Sequence, residues 1–553
     1  MTAPPRPFAV IAGGGPVGMV LALELGRRDV RCVLLNDRVG PTEWPKANAT
    51  SPRSMEHLRR LGVAKRFRAL GLAPDYPSDV TYFTRLAGYE LARLPMPGWG
   101  AAVAETARGA GPWAAPEPAH RGSQLFLEQA LFERLADFPA IERRFGWRCE
   151  GFEDRGDHVR VRAVESASGR AETIEAAYLA GCDGGGSVVR KSLGIEFEGD
   201  AGVVRPFMGG SMVSAFVRMA PPPGARWPKR SWQYWVVNAE VRAVCIAVDG
   251  HERYVWGIQL PERRPLDAGY VRGLVESATG VPALKELISF VPWTAGYRLL
   301  AQRYGAGRVL LAGDAAHLFT PTGGMGMNTG IDDAVNLAWK LAAVAKGWAG
   351  PRLLASYEID RRPIGARNLA WSKRFADSVG TTPATPAIET DTAEGARERA
   401  AVGARLAAHA AHEFLIPGIH LGFRYENSPL VWPDGTPAPP DTANDYAPTA
   451  RPGHRAPHVW LAPGVALYDR LGAEFTLLQL GGNGAAAQAL RPAFAARGIP
   501  LDVLALDVAA LNADARAPYV RGNALIGPDQ FVYWRGDAAP ADPLALADRV
   551  RGA

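Results

Sequence analysis

The sequence predicts an α/β protein in several parts, organised around a Rossmann-type dinucleotide-binding unit, and three stretches carry that prediction. Residues 8–35, FAVIAGGGPVGMVLALELGRRDVRCVLL, read as strand, glycine turn, helix and second strand. Residues 308–340, RVLLAGDAAHLFTPTGGMGMNTGIDDAVNLAWK, read as a buried strand ending on Gly313-Asp314, a glycine-rich loop and a long helix. Between them, residues 196–261 change to short aromatic-rich alternating runs of the kind that form an antiparallel sheet. At 553 residues the chain has room for roughly three or four domains with cores of their own.

In the first stretch, Phe8 to Ala12 is the strand, Gly13-x-Gly15-x-x-Gly18 the turn, Val17 to Arg27 the helix and Val30 to Leu35 the next strand. Three glycines at this spacing permit a tight turn, close approach of a pyrophosphate and close helix–strand packing, with the phosphates on the helix N-terminus beside Pro16 and Val17. The motif alone is weak, but its place between a strand and a helix makes it strong. The acidic residue expected at the end of the second strand is replaced by Asn36, followed by Asp37. Register favours Asn36, whose amide both accepts and donates, with Asp37 as the alternative. Residues 8 to 25 carry only Glu24 as a charge, yet four glycines and Pro16 break the run. Neither a membrane span nor a cleaved signal fits it, and no other long apolar run exists, so a soluble cytoplasmic protein is expected.

Lys46 to Arg59 is a loop entering a helix, with Ser51 or Ser54 as cap. Arg53 at that helix start can reach a phosphate or ring oxygen, or form a surface salt bridge. Residues 120–135 form another loop and helix, with Gln124 as a ligand-facing amide and Ser123 as a cap. YLAGCDGGGSVVR, residues 178–190, sets Asp183-Gly184, Ser187 and Arg190 where one pyrophosphate could meet all of them. SWQYWVV, RAVCIAV and YVWGIQL read as three antiparallel strands supplying an apolar wall. Trp232, Tyr234, Trp235, Trp256 and Gln259 are equally core or substrate contacts on this evidence.

In the later stretch, Pro321, Gly323, Gly324, Gly326 and Gly330 let backbone approach a flat ligand without interference from a Cβ. Leu337, Leu341 and Val344 share one face of the helix that follows, and Gly347 stops it. Residues 381–450 read as a long connector containing an Ala/Arg-rich helix and a Pro-rich run, and the last hundred residues alternate strands and helices. The net charge of +6 comes from scattered arginines without a basic block, which excludes a nucleic-acid binder. Cys32, Cys149, Cys182 and Cys245 form no CxxC and no metal spacing, so they read as buried thiols in a reducing compartment. His409-x-x-His412-Glu413 lacks the HExxH order and a third ligand; it reads as a helix-surface pair, and no metal is expected.

The glycine turn at Gly13, Gly15 and Gly18, the Asp183-Gly184 turn and the Gly313-Asp314 turn, in this order along nearly the whole chain, resemble the single-component (group A) FAD-dependent aromatic hydroxylases of the p-hydroxybenzoate hydroxylase and phenol hydroxylase group. The resemblance implies a discontinuous FAD-binding domain over residues 1–75, 105–195 and 295–380, and a substrate sheet over 76–104 and 196–294. It implies a connector over 381–449 and a thioredoxin-like domain over 450–553, which lacks cysteine altogether. It places Gly13, Gly15, Pro16, Val17 and Gly18 on the ADP, with Asn36 or Asp37 on its ribose. Arg53, Gln124 and Asp183 fall on further FAD contacts, Gly313 and Asp314 on the ribityl chain, and Pro321, Gly324, Gly326, Met327 and Asn328 around the isoalloxazine. Lys46 stands where many relatives have arginine and is not carried over. The implied activity is hydroxylation of a small phenolic or polycyclic aromatic substrate with NADPH or NADH and O2, through a flavin C4a-hydroperoxide. Trp232, Tyr234, Trp256 and Pro321 are the expected substrate contacts, and His317, Tyr234 and Arg298 the candidate catalytic groups. Baeyer–Villiger oxygenation of a polycyclic ketone is the alternative, and a non-catalytic flavin sensor or scaffold the alternative of another class. A homodimer is among the expected assemblies, and neither nucleic acid nor membrane is an expected partner.

Overall fold

The computed structural model describes residues 6–481, 484–507 and 516–553. Its first sheet has six strands in the order Gly305–Ala306, Val309–Leu311, Tyr178–Gly181, Ala9–Ala12, Cys32–Asn36 and Ile141–Phe145. All neighbours are parallel except the first pair. The central strand AVIA is buried throughout, as a parallel strand covered on both faces must be. The helix Pro16–Gly26 begins at Gly15 with proline in its first turn and is buried almost all round. Its Glu24 is fully buried; burial alone would raise the carboxyl pKa, but Arg60, Arg27 and Arg28 hold it well below the usual range.

Glycines bring the two predicted ligand segments together. The helix Met325–Ala345 crosses Pro16–Gly26 where a Cβ on Gly330 would stand 2.7 Å from Val17 Cγ2 and 2.9 Å from Gly313 Cα. The N-terminal glycine turn and the Gly313-Asp314 turn therefore border one cleft at the carboxyl ends of the parallel strands, where such sheets bind ligands.

The second sheet has seven strands: Leu284–Ala295, Gly210–Met219, Arg253–Gln259, Arg242–Ala247, Gln233–Val237, Val80–Phe83 and Glu90–Leu94. Only Gln233–Val237 with Val80–Phe83 is parallel. Register divides it into two faces. Val80, Tyr82, Gln233, Trp235, Ile246, Val255 and Phe216 share one face, and Tyr234, Cys245, Trp256 and Ala215 the other. The first face meets the segment around residues 44–48: Gln233 Nε2 donates to Asn48 Oδ1 at 3.3 Å, and Trp44 lies edge-on to Phe216. The connector contributes a 22-residue helix, Ala393–Phe414, seated on Glu90–Leu94 so closely that a Cβ on Gly403 would strike Leu91 O.

The C-terminal sheet has the order Leu501–Leu506, Phe475–Leu480, Asn523–Ile526, Val532–Gly536, with the first pair parallel and the others antiparallel. Its core does not stop at its own boundary. Trp339 and Trp348 pack with Phe475, Phe494 and Tyr533 in one cluster. Among the described residues no helix is long and apolar enough to cross a membrane.

Candidate functional site

The three glycines of the first turn do different work. A Cβ on Gly13 (φ 107°) would stand 2.2 Å from Cys182 O, and one on Gly18 would stand 1.9 Å from Gly13 O. A Cβ on Gly15 would meet no protein atom within 4 Å. The outer glycines are demanded by the fold, whereas the middle one faces open space at the start of a helix that has no side-chain cap. Its first N–H groups and the positive helix end are left for an anion. The helix Met325–Ala345 repeats the arrangement: its N-cap Gly324 (φ 61°) supplies no capping side chain, and no acidic residue sits in its first turn. Between the two helix starts lies Asp314, its side chain open to the cleft, with Gly326 alongside. The surrounding protein raises the Asp314 pKa, and His317 and Lys46 oppose that rise. Two uncapped helix starts flanking a carboxylate suit a ligand with phosphates at one end, hydroxyls in the middle and an electron-rich ring at the other. These residues fit FAD.

Several predicted contacts are occupied by the protein itself. Arg53 is 1% exposed and faces away from the cleft, donating to Glu56, to Gln530 and to the Asp529 carbonyl. Asn36 is turned inward: its Oδ1 accepts from Gly14 N and its Nδ2 donates to Arg38 O, both at 3.3 Å, while Asp37 is exposed. Gln124 donates to Glu128 Oε1 at 2.7 Å and ties down Ala47 through its backbone N–H at 2.6 Å. Asp183 caps the short helix Val188–Ser192, accepting from Ser187 Oγ and Val189 N, and Arg190 donates to Ile195 O while lying over Phe197. Asn328 is a stitch: Oδ1 accepts from Ser51 N at 2.8 Å, and Nδ2 donates to Ala49 O and Gly324 O. Pro321 is exposed and Gly326 and Met327 are half-buried at the helix start. Ser51 is the cap of Pro52–Arg60, accepting from Ser54 N.

The three catalytic candidates do not face the cleft. His317 is fully buried with Nε2 2.7 Å from Asp333 Oδ2, behind the Gly313 turn. Tyr234 is on the back face of the sheet, where its oxygen accepts from Ser231 N, and burial drives its pKa well above the usual range. Arg298 pairs with Asp200 at a half-exposed ribbon. Of the expected substrate contacts, Trp256 shares the back face with Tyr234, and Trp232 is fully buried beneath Arg121 and Phe414. Tyr82, Gln233 and Trp235 lie on the opposite face of the sheet, with Tyr82 stacked on Trp235.

A polar cluster at the edge of this wall went unrecognised in the sequence. Glu413 Oε1 accepts from Gly323 N at 2.8 Å, pinning the glycine-rich loop to Ala393–Phe414. His409 Nε2 stands 2.8 Å from Glu413 Oε2, and both residues are 3% exposed. The His409–Glu413 pair is therefore interior, contrary to its reading as a surface pair. Arg121 lies over Trp232 at 4.4 Å, its pKa pushed down to about 10 by burial against the pull of Glu413. The buried Tyr82 hydroxyl has no hydrogen-bond partner and is raised by burial and then by Glu413. Val402, Leu406, His409 and Glu413 follow helical spacing on one face, which is the signal that would have found the pair.

A family model described as FAD binding domain matches residues 8–372, and one described as aromatic-ring hydroxylase, C-terminal, matches residues 449–552. The FAD-dependent monooxygenase apdD of Emericella nidulans is 33% identical over 98% of this chain and 89% of its own length. The rebeccamycin biosynthetic enzyme RebC, solved with reduced flavin, is 34% identical with a TM-score of 0.85 over the whole of both chains. Aklavinone-11 hydroxylase, solved with FAD and aklavinone, is 27% identical with a TM-score of 0.81, again over the whole of both chains.

Proposed function

The chain belongs to the FAD-dependent monooxygenases that join this FAD-binding domain to an aromatic-ring hydroxylase C-terminal domain, and from that premise we propose how its residues serve the reaction. The substrate is a phenolic or polycyclic aromatic ring, the reductant NAD(P)H and the oxidant O2. Bound in the cleft, FAD would supply the redox chemistry, taking a hydride from the nicotinamide and passing one oxygen atom to the ring while the other leaves as water.

The open face of Gly15 and the helix start behind it would hold the pyrophosphate. Asp314 would accept from the ribityl hydroxyls. The uncapped start of Met325–Ala345 would favour negative charge on a ring bound near it. Trp235 and Tyr82 form the wall that excludes water from the reacting ring. The Tyr82 hydroxyl and the Arg121 guanidinium take the phenolic oxygen, and His409, held by Glu413, accepts its proton at the imidazole. The four free thiols suit the reducing cytoplasm.

The observation that carries this reading is the exposed Asp314 carboxylate beside two uncapped helix starts. Stopped-flow reduction of the holoenzyme with NADH and NADPH, across a panel of phenols and polycyclic aromatics, tests it. The expected result is a substrate that accelerates flavin reduction and gains one ring hydroxyl per NAD(P)H oxidised. A lactone product would replace hydroxylation by Baeyer–Villiger oxygenation, and no NAD(P)H oxidation with any candidate would leave a flavin sensor.

A further inference from the structure

The machinery just described does not use the C-terminal domain, yet that domain's hairpin between Asn523–Ile526 and Val532–Gly536 reaches the start of Pro52–Arg60. Gln530 at its tip is 1% exposed and has φ 67°, a left-handed conformation that favours glycine. Its Oε1 accepts from Arg53 Nη1 at 2.7 Å, and the neighbouring Asp529 carbonyl accepts from Arg53 Nη2 at 2.5 Å. Arg53 also donates to Glu56 at 2.8 Å and lies 3.4 Å from Asp332. Glu56 is shared with Arg455 from the C-terminal segment. The Asp529 carboxylate is fixed by Asn336, Tyr425 and Tyr533. A guanidinium buried among so many matched acceptors is held in one place, because any shift strands a buried charge or acceptor.

Two routes lead from Arg53 to the cleft. Ser51, just before it, donates its N–H to Asn328, which also holds Ala49 O and Gly324 O at the start of the long helix. Ala49 packs against Gly324, where an added Cβ would approach its methyl to 3.1 Å. Along the other route, Asp332 adjoins Asp333, whose carboxylate accepts from Gly313 N at 3.3 Å and pairs with His317 and Arg361.

We infer that Gln530 is a positioning residue of the FAD cleft, through which the C-terminal domain braces the 46–53 segment and the two glycine turns. The inference rests on the reading that this cleft takes FAD. The backbone at 530 points the same way. Glycine would relieve the left-handed conformation, so the backbone alone gives no reason for a glutamine here. Glutamine supplies instead the carbonyl that Arg53 meets.

Gln530→Gly in the full-length chain separates bracing from packing, with Gln530→Met, similar in size but lacking the amide, as a second variant. The apoprotein is titrated with FAD by flavin fluorescence, and its unfolding midpoint is recorded without FAD. The expected result is FAD dissociation constants weaker by about tenfold in both variants, with an apo midpoint for Gln530→Gly no lower than that of Gln530→Met, since both remove the same acceptor from Arg53 and glycine also relieves the left-handed backbone. Parent-like FAD affinity in both variants would overturn the inference while leaving the FAD reading intact. So would a loss of affinity confined to a variant whose apo midpoint falls. A parent chain that binds no FAD would overturn both together, and its own titration reports that separately.

Discussion

Glu24 shows how much rests on a single buried carboxylate. It receives Arg60 Nη2 at 2.7 Å and Arg28 Nη1 at 2.5 Å, and Arg28 continues to Glu474 and the Ala473 carbonyl in the C-terminal domain. Removing the acid leaves two buried guanidinium groups short of a partner, so Glu24→Ala should cost about 3–5 kcal/mol, read from urea unfolding at neutral pH. The pH dependence has a definite sign. Because the folded-state pKa lies below the unfolded value of 4.5, the stabilisation is complete above that value and fades as pH falls toward the folded pKa. The parent should lose stability through this acid range, and Glu24→Gln should flatten that limb of the curve. An unchanged acid limb in the variant would remove Glu24 from the account. Arg53 carries the complementary lesson about what sequence reveals. Its place at a helix start beside the flavin loop was plain, but its partners Gln530 and Asp529 lie 477 and 476 positions away, where no local pattern reaches.

At the scale of elements, the glycines sort into those the fold needs and those a ligand needs. Gly330→Ala would drive a methyl to 2.7 Å from Val17 Cγ2 at the crossing of two buried helices, an overpacking expected to cost about 1–3 kcal/mol. Gly15→Ala meets no protein atom within 4 Å, so its unfolding midpoint without FAD should stay at the parent value while its FAD affinity falls. Thermal unfolding with and without FAD reads both; equal FAD affinity in Gly15→Ala would deny that turn its phosphate. Both glycine motifs and the Gly313-Asp314 turn were legible because their backbone demands are local. The choice of sheet face was not. All five residues of Gln233–Val237 are buried, so the alternation that would have told Trp235 from Tyr234 is absent from the sequence. Only pairing with Val80–Phe83 shows that Tyr82 shares the face of Trp235 and not that of Tyr234. In the second motif, Asp183 and Ser187 have the chemistry of a phosphate site and also close on each other as a helix cap at 2.6 Å, a tie the spacing alone did not announce.

For the molecule as a whole, the C-terminal sheet is continuous with what precedes it. Trp339, on the helix that begins at the flavin loop, stacks on Trp348 and meets Phe475 and Tyr533 edge-on. Calorimetry of the apoprotein should therefore show one cooperative transition, and Trp339→Ala should lower it as a unit, by about 3–5 kcal/mol. Two separated transitions would mean that the shared core does not couple the parts. The division into Rossmann sheet, antiparallel sheet and C-terminal α/β unit could be read from texture along the chain. The shared core could not, because aromatic residues from distant segments carry no mark of one another.

The bond between Gly323 N and Glu413 has a consequence for how the molecule comes into being. Its partners stand 90 positions apart. A growing chain that has made both glycine turns and Asp314 still lacks the carboxylate that closes the loop over them. Contacts of such long sequence separation form late. The loop over the cleft therefore closes only after its ligand-binding motifs, and the helix Ala393–Phe414 behind them, have been synthesised.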